Sequence, residues 1–233
     1  MTAALATPGT VAVGPFDGVH VGHRQLLARA AAPVTVVTWE PVPDEELVCP
    51  LRRRLELLAA AGAEPIVAVR HDERATPGDG RLADPDLADP TTQAAIRASL
   101  GRGDVAGAAS LLGRPPEVEG RVVGGDERGR TLGFPTANVA VERGVIVPAL
   151  GIYAGWAAGA RAAISIGTNP TYGAAELRVE AFLLDFAGDL YGRRLVVELW
   201  ERLRDEAAFA TESELVAAIA RDVARTRAAR RPT

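Results

Sequence analysis

Residues Gly129 to Asn138 read GRTLGFPTAN, and the rest of the chain is best understood outward from them. Gly129 and Gly133 flank a turn through Arg130, Thr131 and Leu132, and Pro135 then fixes φ at the entry to an extended segment. Thr136 and Asn138 stand two apart, so in an extended chain they project to the same side. A hydroxyl and an amide oxygen are hard ligands, better suited to Mg²⁺ than to a soft metal. The glycines ahead of them let backbone N–H groups approach an anion such as a phosphate. The pattern describes a phosphate-and-magnesium turn, and by residue type alone it equally describes a Gly/Pro turn entering a barrel strand. It is not a P-loop, because no GxxxxGK[ST] follows a strand.

On either side of this stretch, short strands alternate with turns: EGRVVGG from Glu119, NVAVE from Asn138, IYAGWAAG from Ile152, RAAISIG from Arg161, LRVEAFLLDF from Leu177 and RRLVVELWE from Arg193. Ala158-Gly159-Ala160 splits Tyr153 to Ile166 into a hairpin. Many short strands with regular turns predict a closed antiparallel barrel. The final segment predicts a helix. Thr211 and Glu214 form a capping box, and Leu215, Ile219 and Val223 fall on one inward face.

The first third has a different grammar. A β-branched run from Thr10 to Gly14 leads through GPFDGVHVGH into an apolar-periodic helix. A second strand spans Val34 to Trp39, a helix runs from Leu51 to Gly62, and a third strand spans Pro65 to Val69. Strand, helix, strand, helix, strand predicts a parallel α/β unit. His71 to Pro90 is acidic and rich in Pro and Gly, which predicts a linker. Two short helices follow, Thr92 to Leu100 and Asp104 to Leu112.

Composition limits the function. The net charge is −4, and all 26 basic residues are arginine, so nothing draws the chain as a whole to nucleic acid. The cluster Arg52-Arg53-Arg54 and the tail Arg225 to Arg231 are expected to be solvated helix faces and a frayed terminus. No apolar run is long enough to span a bilayer, and the N-terminus does not read as a signal peptide. The lone Cys49 excludes an internal disulfide and points to a reducing cytoplasm.

GRTLGFPTAN resembles the signature of the riboflavin kinase family, and GIYAGW, SIGTNPTYG, RVEAFLLDF, GDLYGRRLVVELWERLRDE and FATESELVAAIARDV follow in that family's order. The likeness extends from about Gly103 to Arg227. It implies a C-terminal Greek-key barrel with a terminal helix, at residues 103–233, transferring the γ-phosphoryl group of ATP to the 5′-hydroxyl of riboflavin to give FMN. It further implies Glu180 as general base, and Thr136 and Asn138 as holders of the Mg²⁺ that accompanies ATP. Gly129, Arg130 and Gly133 would shape the phosphate loop, with Asn169 and Thr171 on the nucleotide side. Arg204 and Phe209 are the expected partners of the flavin ring, a guanidinium and an aromatic against a flat hydrogen-bonding surface. By strand alternation alone, Glu180 would read as an outward-facing position sharing a face with Arg178 and Phe182.

GPFDGVHVGH carries His20 and His23 at a helix mouth, where the dipole and backbone donors favour an anion. It resembles the HxGH motif of nucleotidyltransferases, and more closely the start of the FMN adenylyltransferase module of bifunctional bacterial FAD synthetases. That implies a reduced Rossmann-like domain at residues 1–102 with a nucleotide site at Gly14, Phe16, Asp17, His20, Gly22 and His23. The chain departs from that family in three places. Val42 in Trp39-Glu40-Pro41-Val42-Pro43 stands where histidine is expected, and the central flavin-pocket segment is missing. Of a late Ser/Thr-rich turn only Thr92, Ile96 and Arg97 keep the character. The expectation is therefore a riboflavin kinase with a degenerate adenylyltransferase domain. The alternatives are an intact bifunctional enzyme, or a flavin- or nucleotide-binding regulator without turnover. Riboflavin and ATP are the expected partners, with neither nucleic acid nor membrane.

Overall fold

The structure is a computed structural model that describes residues 10–30, 32–40, 46–70, 90–125, 133–171 and 174–233. It divides into two compact units, Met1–Ala95 and Ile96–Thr233.

In the first unit, β1 (Thr10–Val13), β2 (Val34–Glu40) and β3 (Ala63–Arg70) form a parallel sheet in the order β1-β2-β3. The helix α1 (Val21–Arg29) joins β1 to β2, and α2 (Leu51–Ala60) joins β2 to β3. Parallel pairing demands such crossovers. Ala12, Phe16, Leu27, Val34, Val36 and Leu58 make the core, each Phe, Leu or Val side chain stabilising by about 1.5–3 kcal/mol when fully buried. The edge strand β3 is far barer, with Val67 42% exposed.

Arg54 corrects the expectation of a solvated arginine run. Arg52 is exposed, but the Arg54 side chain is 1% exposed. It donates to the carbonyls of Pro15 and Trp39 at 3.0 and 3.2 Å, and its Nη2 lies 3.8 Å from Oδ1 of the buried Asp17. A charge can enter a core when acceptors meet it, and here they come from residues far away in sequence.

The helices α3 (Pro90–Gly101) and α4 (Val105–Leu112) follow. The segment Thr91 to Arg97 lies within α3, which includes the helix expected from Thr92 to Leu100. Asp104 caps α4 by accepting from Gly107 N at 2.8 Å, and Gly113 closes it in the left-handed region at φ 64°.

Six antiparallel strands close the second unit into a barrel: β4 (Glu117–Val123), β5 (Ala137–Val141), β6 (Gly151–Ala157), β7 (Ala160–Thr171), β8 (Ala174–Leu183) and β9 (Arg194–Arg204). Their order, β4-β5-β8-β7-β6-β9, places β5 beside β8 across the meander β6-β7-β8, a Greek key. The β6–β7 hairpin turns at Ala158 and Gly159, both at positive φ. Inside the barrel pack Val122, Val139, Ile164, Ile166, Val179, Val197 and Leu199. Gly155 is required where β6 meets β9, since a Cβ there would sit 1.8 Å from the carbonyl of Glu198.

The final helix α5 (Glu212–Ala228) begins with the expected capping box, Thr211 Oγ1 accepting from Glu214 N and the Glu214 carboxylate accepting from Thr211 N. Its seam differs from the expected Leu215, Ile219 and Val223. The buried residues are Ala218, Asp222 and Thr226, and the branched residues flank them half-buried. Small side chains lie in the seam, and an inward polar residue is invisible to hydrophobic spacing.

The arginine tail is likewise not frayed. Arg161 on β7 donates to the carbonyls of Thr226 and Ala229 at 3.0 and 2.6 Å, closing the end of α5. Arg225 meets Glu201 at 3.0 Å, and Arg231 holds Glu198 through two bonds of 2.9 and 2.8 Å. Arg227 pairs with Asp185 at 2.6 and 2.8 Å, and those bonds hold the Asp185 carboxyl below its ordinary range.

Candidate active site

On β8 the side chains alternate. Val179, Ala181 and Leu183 enter the barrel core, so Arg178, Glu180 and Phe182 face outward, as alternation predicts. That outward face is not open solvent. The segment after β8, the end of β9 and α5 fold over it and enclose a cleft of about 760 Å³ lined by Arg178, Glu180 and Phe182 among others.

Glu180 sits opposite Asn138 on β5 and opposite Ser165 on β7. Directly paired residues of antiparallel strands project to the same face, so Asn138, Glu180 and Ser165 form one row across three strands. Thr136, one residue before β5, donates from Oγ1 to Glu180 Oε2 at 3.3 Å. Thr136, Asn138 and Glu180 therefore line one wall of the cleft. Gly125 makes room for this wall, since a Cβ there would lie 2.1 Å from Asn138 Nδ2. Phe134 packs edge-on against Phe182 at 5.4 Å between ring centroids.

Arg204 and Phe209 line the same cleft from the end of β9 and the loop after it. The Arg204 guanidinium carbon lies 5.7 Å from the centre of the Phe209 ring. Nε donates to both carboxylate oxygens of Asp222 at 3.1 Å, Nη2 donates to Oδ2 at 2.8 Å, and Nη1 donates to the Asp205 carbonyl at 2.9 Å. Sequence reading missed Asp222, Ser165 and the cleft-lining Tyr191. Asp222 left a faint signal as a lone acid on an otherwise apolar helix face, and Ser165 is found only through strand register.

Gly129 and Arg130 lie outside the described residues. Gly133 is described, at φ 86°, a conformation natural to glycine. Asn169 and Thr171 stand near the end of β7, opposite Glu176 and Ala174 of β8; their side chains lie outside the described residues.

In the first unit the loop after β1 is built around a tight turn. Phe16, Gly18 and Val19 all have positive φ, at 48°, 72° and 42°. Left-handed backbone at a β-branched residue is strained, and such strain concentrates at functional loops. His20 precedes α1, and His23 lies in its first turn. Their rings stack 3.7 Å apart, and Phe16 packs 5.1 Å from His23. Gly22 lies beneath the stack, 3.1 Å from His20 Cε1 where a Cβ would be. Asp17 is committed to structure: its carboxylate accepts from Val48 N at 2.8 Å and Cys49 N at 3.3 Å. Gly14 continues the strand pairing by donating to the Val37 carbonyl at 3.1 Å.

Comparison with known proteins agrees with both halves. A family model described as riboflavin kinase matches residues 112–230, and one described as FAD synthetase matches residues 3–77. The bifunctional riboflavin kinase/FMN adenylyltransferase of Escherichia coli (strain K12) is 34% identical over 279 residues, covering 90% of this chain and 89% of its own. The protein of the same name from Pseudomonas fluorescens is 34% identical over 293 residues, covering 95% and 93%. Both alignments are longer than the 233 residues of this chain, so these relatives carry residues that it lacks. A crystal structure described as a macrolide-efflux protein from Streptococcus pneumoniae aligns with a TM-score of 0.79 at 26% identity, over 96% of each chain. Among the described residues, no helix is long and apolar enough to cross a membrane.

Proposed function

Because this chain belongs to the riboflavin kinase family and catalyses the ATP-dependent phosphorylation of riboflavin to FMN, we propose that the transfer takes place in the cleft on the outer face of β8, with Glu180 as general base. The observation that carries this reading is the row Asn138–Glu180–Ser165, with Thr136 hydrogen-bonded to Glu180. It gathers a carboxylate and hard oxygen donors on one wall of a cleft of about 760 Å³, within the roughly 300–1,000 Å³ of small-molecule sites.

Phosphoryl transfer needs positioning, charge neutralisation and a base near the attacking hydroxyl. Glu180 Oε2, which accepts from Thr136, takes the proton of the riboflavin 5′-hydroxyl as that oxygen attacks the γ-phosphorus and ADP departs. Thr136 and Asn138 present the hydroxyl and amide oxygens suited to Mg²⁺, and the absence of a side chain at Gly125 leaves the Asn138 amide its place. When bound with ATP, Mg²⁺ neutralises charge on the phosphates. The backbone of Gly129, Arg130 and Gly133 would cradle those phosphates, and Asn169 and Thr171 would border the nucleotide. Arg204 and Phe209 form the ring end of the cleft. Riboflavin and ATP are the ligands this arrangement suits, and ATP as substrate with a lone Cys49 supports a cytoplasmic location.

Glu180→Gln tests the base. FMN formation should fall by about 10²–10⁴-fold, while riboflavin binding, followed by titration of the flavin fluorescence, is spared. Undiminished turnover would overturn the assignment.

We further infer that the N-terminal domain, residues 1–102, is a degenerate FMN adenylyltransferase. The shortened chain relative to its relatives and the valine at Val42 support this. The specific observation favouring an intact second activity is the strained turn that stacks His20 on His23 at the mouth of α1.

A further inference from the structure

We propose that Asp222 is a positioning residue for flavin recognition, holding the Arg204 guanidinium against Phe209 so that its remaining N–H donors meet the carbonyl edge of the flavin ring. The proposal rests on the reading of Arg204 and Phe209 as the ring end of the cleft.

Asp222 is 5% exposed and lies in the seam of α5. A carboxylate there is an expensive way to fill space, because desolvating an ion pair often outweighs its attraction and an apolar residue would serve packing as well or better. What the carboxylate supplies is direction. Three contacts from Nε and Nη2 of Arg204 converge on it, a side-on pairing that fixes the guanidinium plane. The Asp205 carbonyl takes one donor of Nη1. A guanidinium has more N–H groups than these bonds use, and its planar fork matches paired acceptors. Phe209 lies 5.7 Å from the guanidinium carbon. The same helix supplies Leu215 and Ile219 to the cleft wall, so one element forms both the apolar wall and the brace behind the polar group. The ring of riboflavin has two carbonyls flanking an N–H, which fixed donors read well and freely rotating donors read poorly. An unbraced arginine would have to be ordered by each arriving ligand, and ordering a rotamer-rich side chain weakens binding.

The test compares Asp222→Asn, Asp222→Ala, Arg204→Ala and the double variant Arg204→Ala/Asp222→Ala in the full chain. Asp222→Asn keeps the shape but turns one acceptor into a donor facing Arg204. Two probes are titrated by fluorescence: riboflavin, and lumichrome, which has the dione edge of the ring and no ribityl chain. Asp222→Asn and Asp222→Ala should weaken both probes by about two- to tenfold. The KM for MgATP and kcat at saturating riboflavin should stay within about twofold. In the double variant the loss should equal that of Arg204→Ala alone, because the brace has nothing left to hold. Circular dichroism melts identify any variant that does not fold, and Asp222→Asn carries the comparison if Asp222→Ala is such a variant. Unchanged affinity for both probes in a folded Asp222→Asn would overturn the proposal, as would losses that add in the double variant. Unchanged riboflavin affinity in Arg204→Ala would instead sink the ring-end reading beneath it.

Discussion

Glu180 owes its position to a two-residue period. Its neighbours Val179 and Ala181 are drawn into the barrel core, which leaves its carboxylate on the face that the later loops and α5 cover. The Thr136 hydroxyl then orients one carboxylate oxygen from a neighbouring segment. Gly125 is the quiet member of this set. Gly125→Ala would push the Asn138 amide aside, given the 2.1 Å approach, without touching the core. The expected result is a Mg²⁺ requirement for half-maximal FMN formation raised by about tenfold, with an unchanged melting temperature. A Mg²⁺ titration of the variant checks it, and an unchanged requirement would remove Asn138 from the proposed metal site. At this scale the motif residues Thr136, Asn138 and Glu180 were legible, because local sequence sets their spacing and type. Asp222 and Ser165 were not, since one joins the site through an ion pair with a distant strand and the other through register.

Among the elements, α5 has the most to hold. Its first turn is closed by Thr211 and Glu214 and its last by Arg161 of β7. Between them Leu215, Ile219 and Asp222 reach the cleft. Trp200 supports the end of the helix from β9, packed with Ala154, Leu203 and Ala229 and lying under the Arg161 guanidinium at 5.3 Å. Thr211→Ala removes the hydroxyl that satisfies Glu214 N and should destabilise the chain by about 1 kcal/mol. A fall in the urea midpoint without a change in slope is the expected reading, and an unmoved midpoint would mean that the cap contributes nothing. The capping box could be read from spacing because it is local. The seam could not, because Leu215, Ile219 and Val223 are the larger and more apolar residues, while Ala218 and Thr226 sit closer to the barrel. Arg54, Arg225, Arg227 and Arg231 escaped for the same reason: an arginine's fate depends on which carboxylate or carbonyl the fold brings to it, and sequence neighbours say little about that.

Across the whole molecule, both grammars of the sequence survive in the fold. Alternating strands and helices became a parallel sheet, and evenly spaced short strands became a closed barrel. The strand order of the barrel is less accessible to sequence reading, because β5 pairs with β8 and β4 with β9 across long intervening stretches. The prediction at this scale concerns the first unit. Incubated with FMN and MgATP, the protein should form no FAD, while riboflavin and MgATP yield FMN, with the flavins separated by chromatography. FAD from the first mixture would show that the His20–His23 turn still serves adenylyl transfer.

The pairing of β4 with β9 also means that the barrel cannot close until its last strand has been synthesised. A ribosome delivers about 5–20 residues per second, N-terminus first, so Thr136, Asn138 and Glu180 emerge before β9 exists to complete the cylinder. Arg204 is the last residue of β9 itself, and Phe209 and Asp222 follow it. The proposed phosphate end of the cleft is thus synthesised first and the proposed ring end last. A nascent chain halted before Glu212 would carry Thr136, Asn138 and Glu180 yet lack the wall that α5 provides. A premature stop near the end of the message would therefore remove Asp222 and the apolar wall of Leu215 and Ile219 while sparing the strands that hold Asn138 and Glu180.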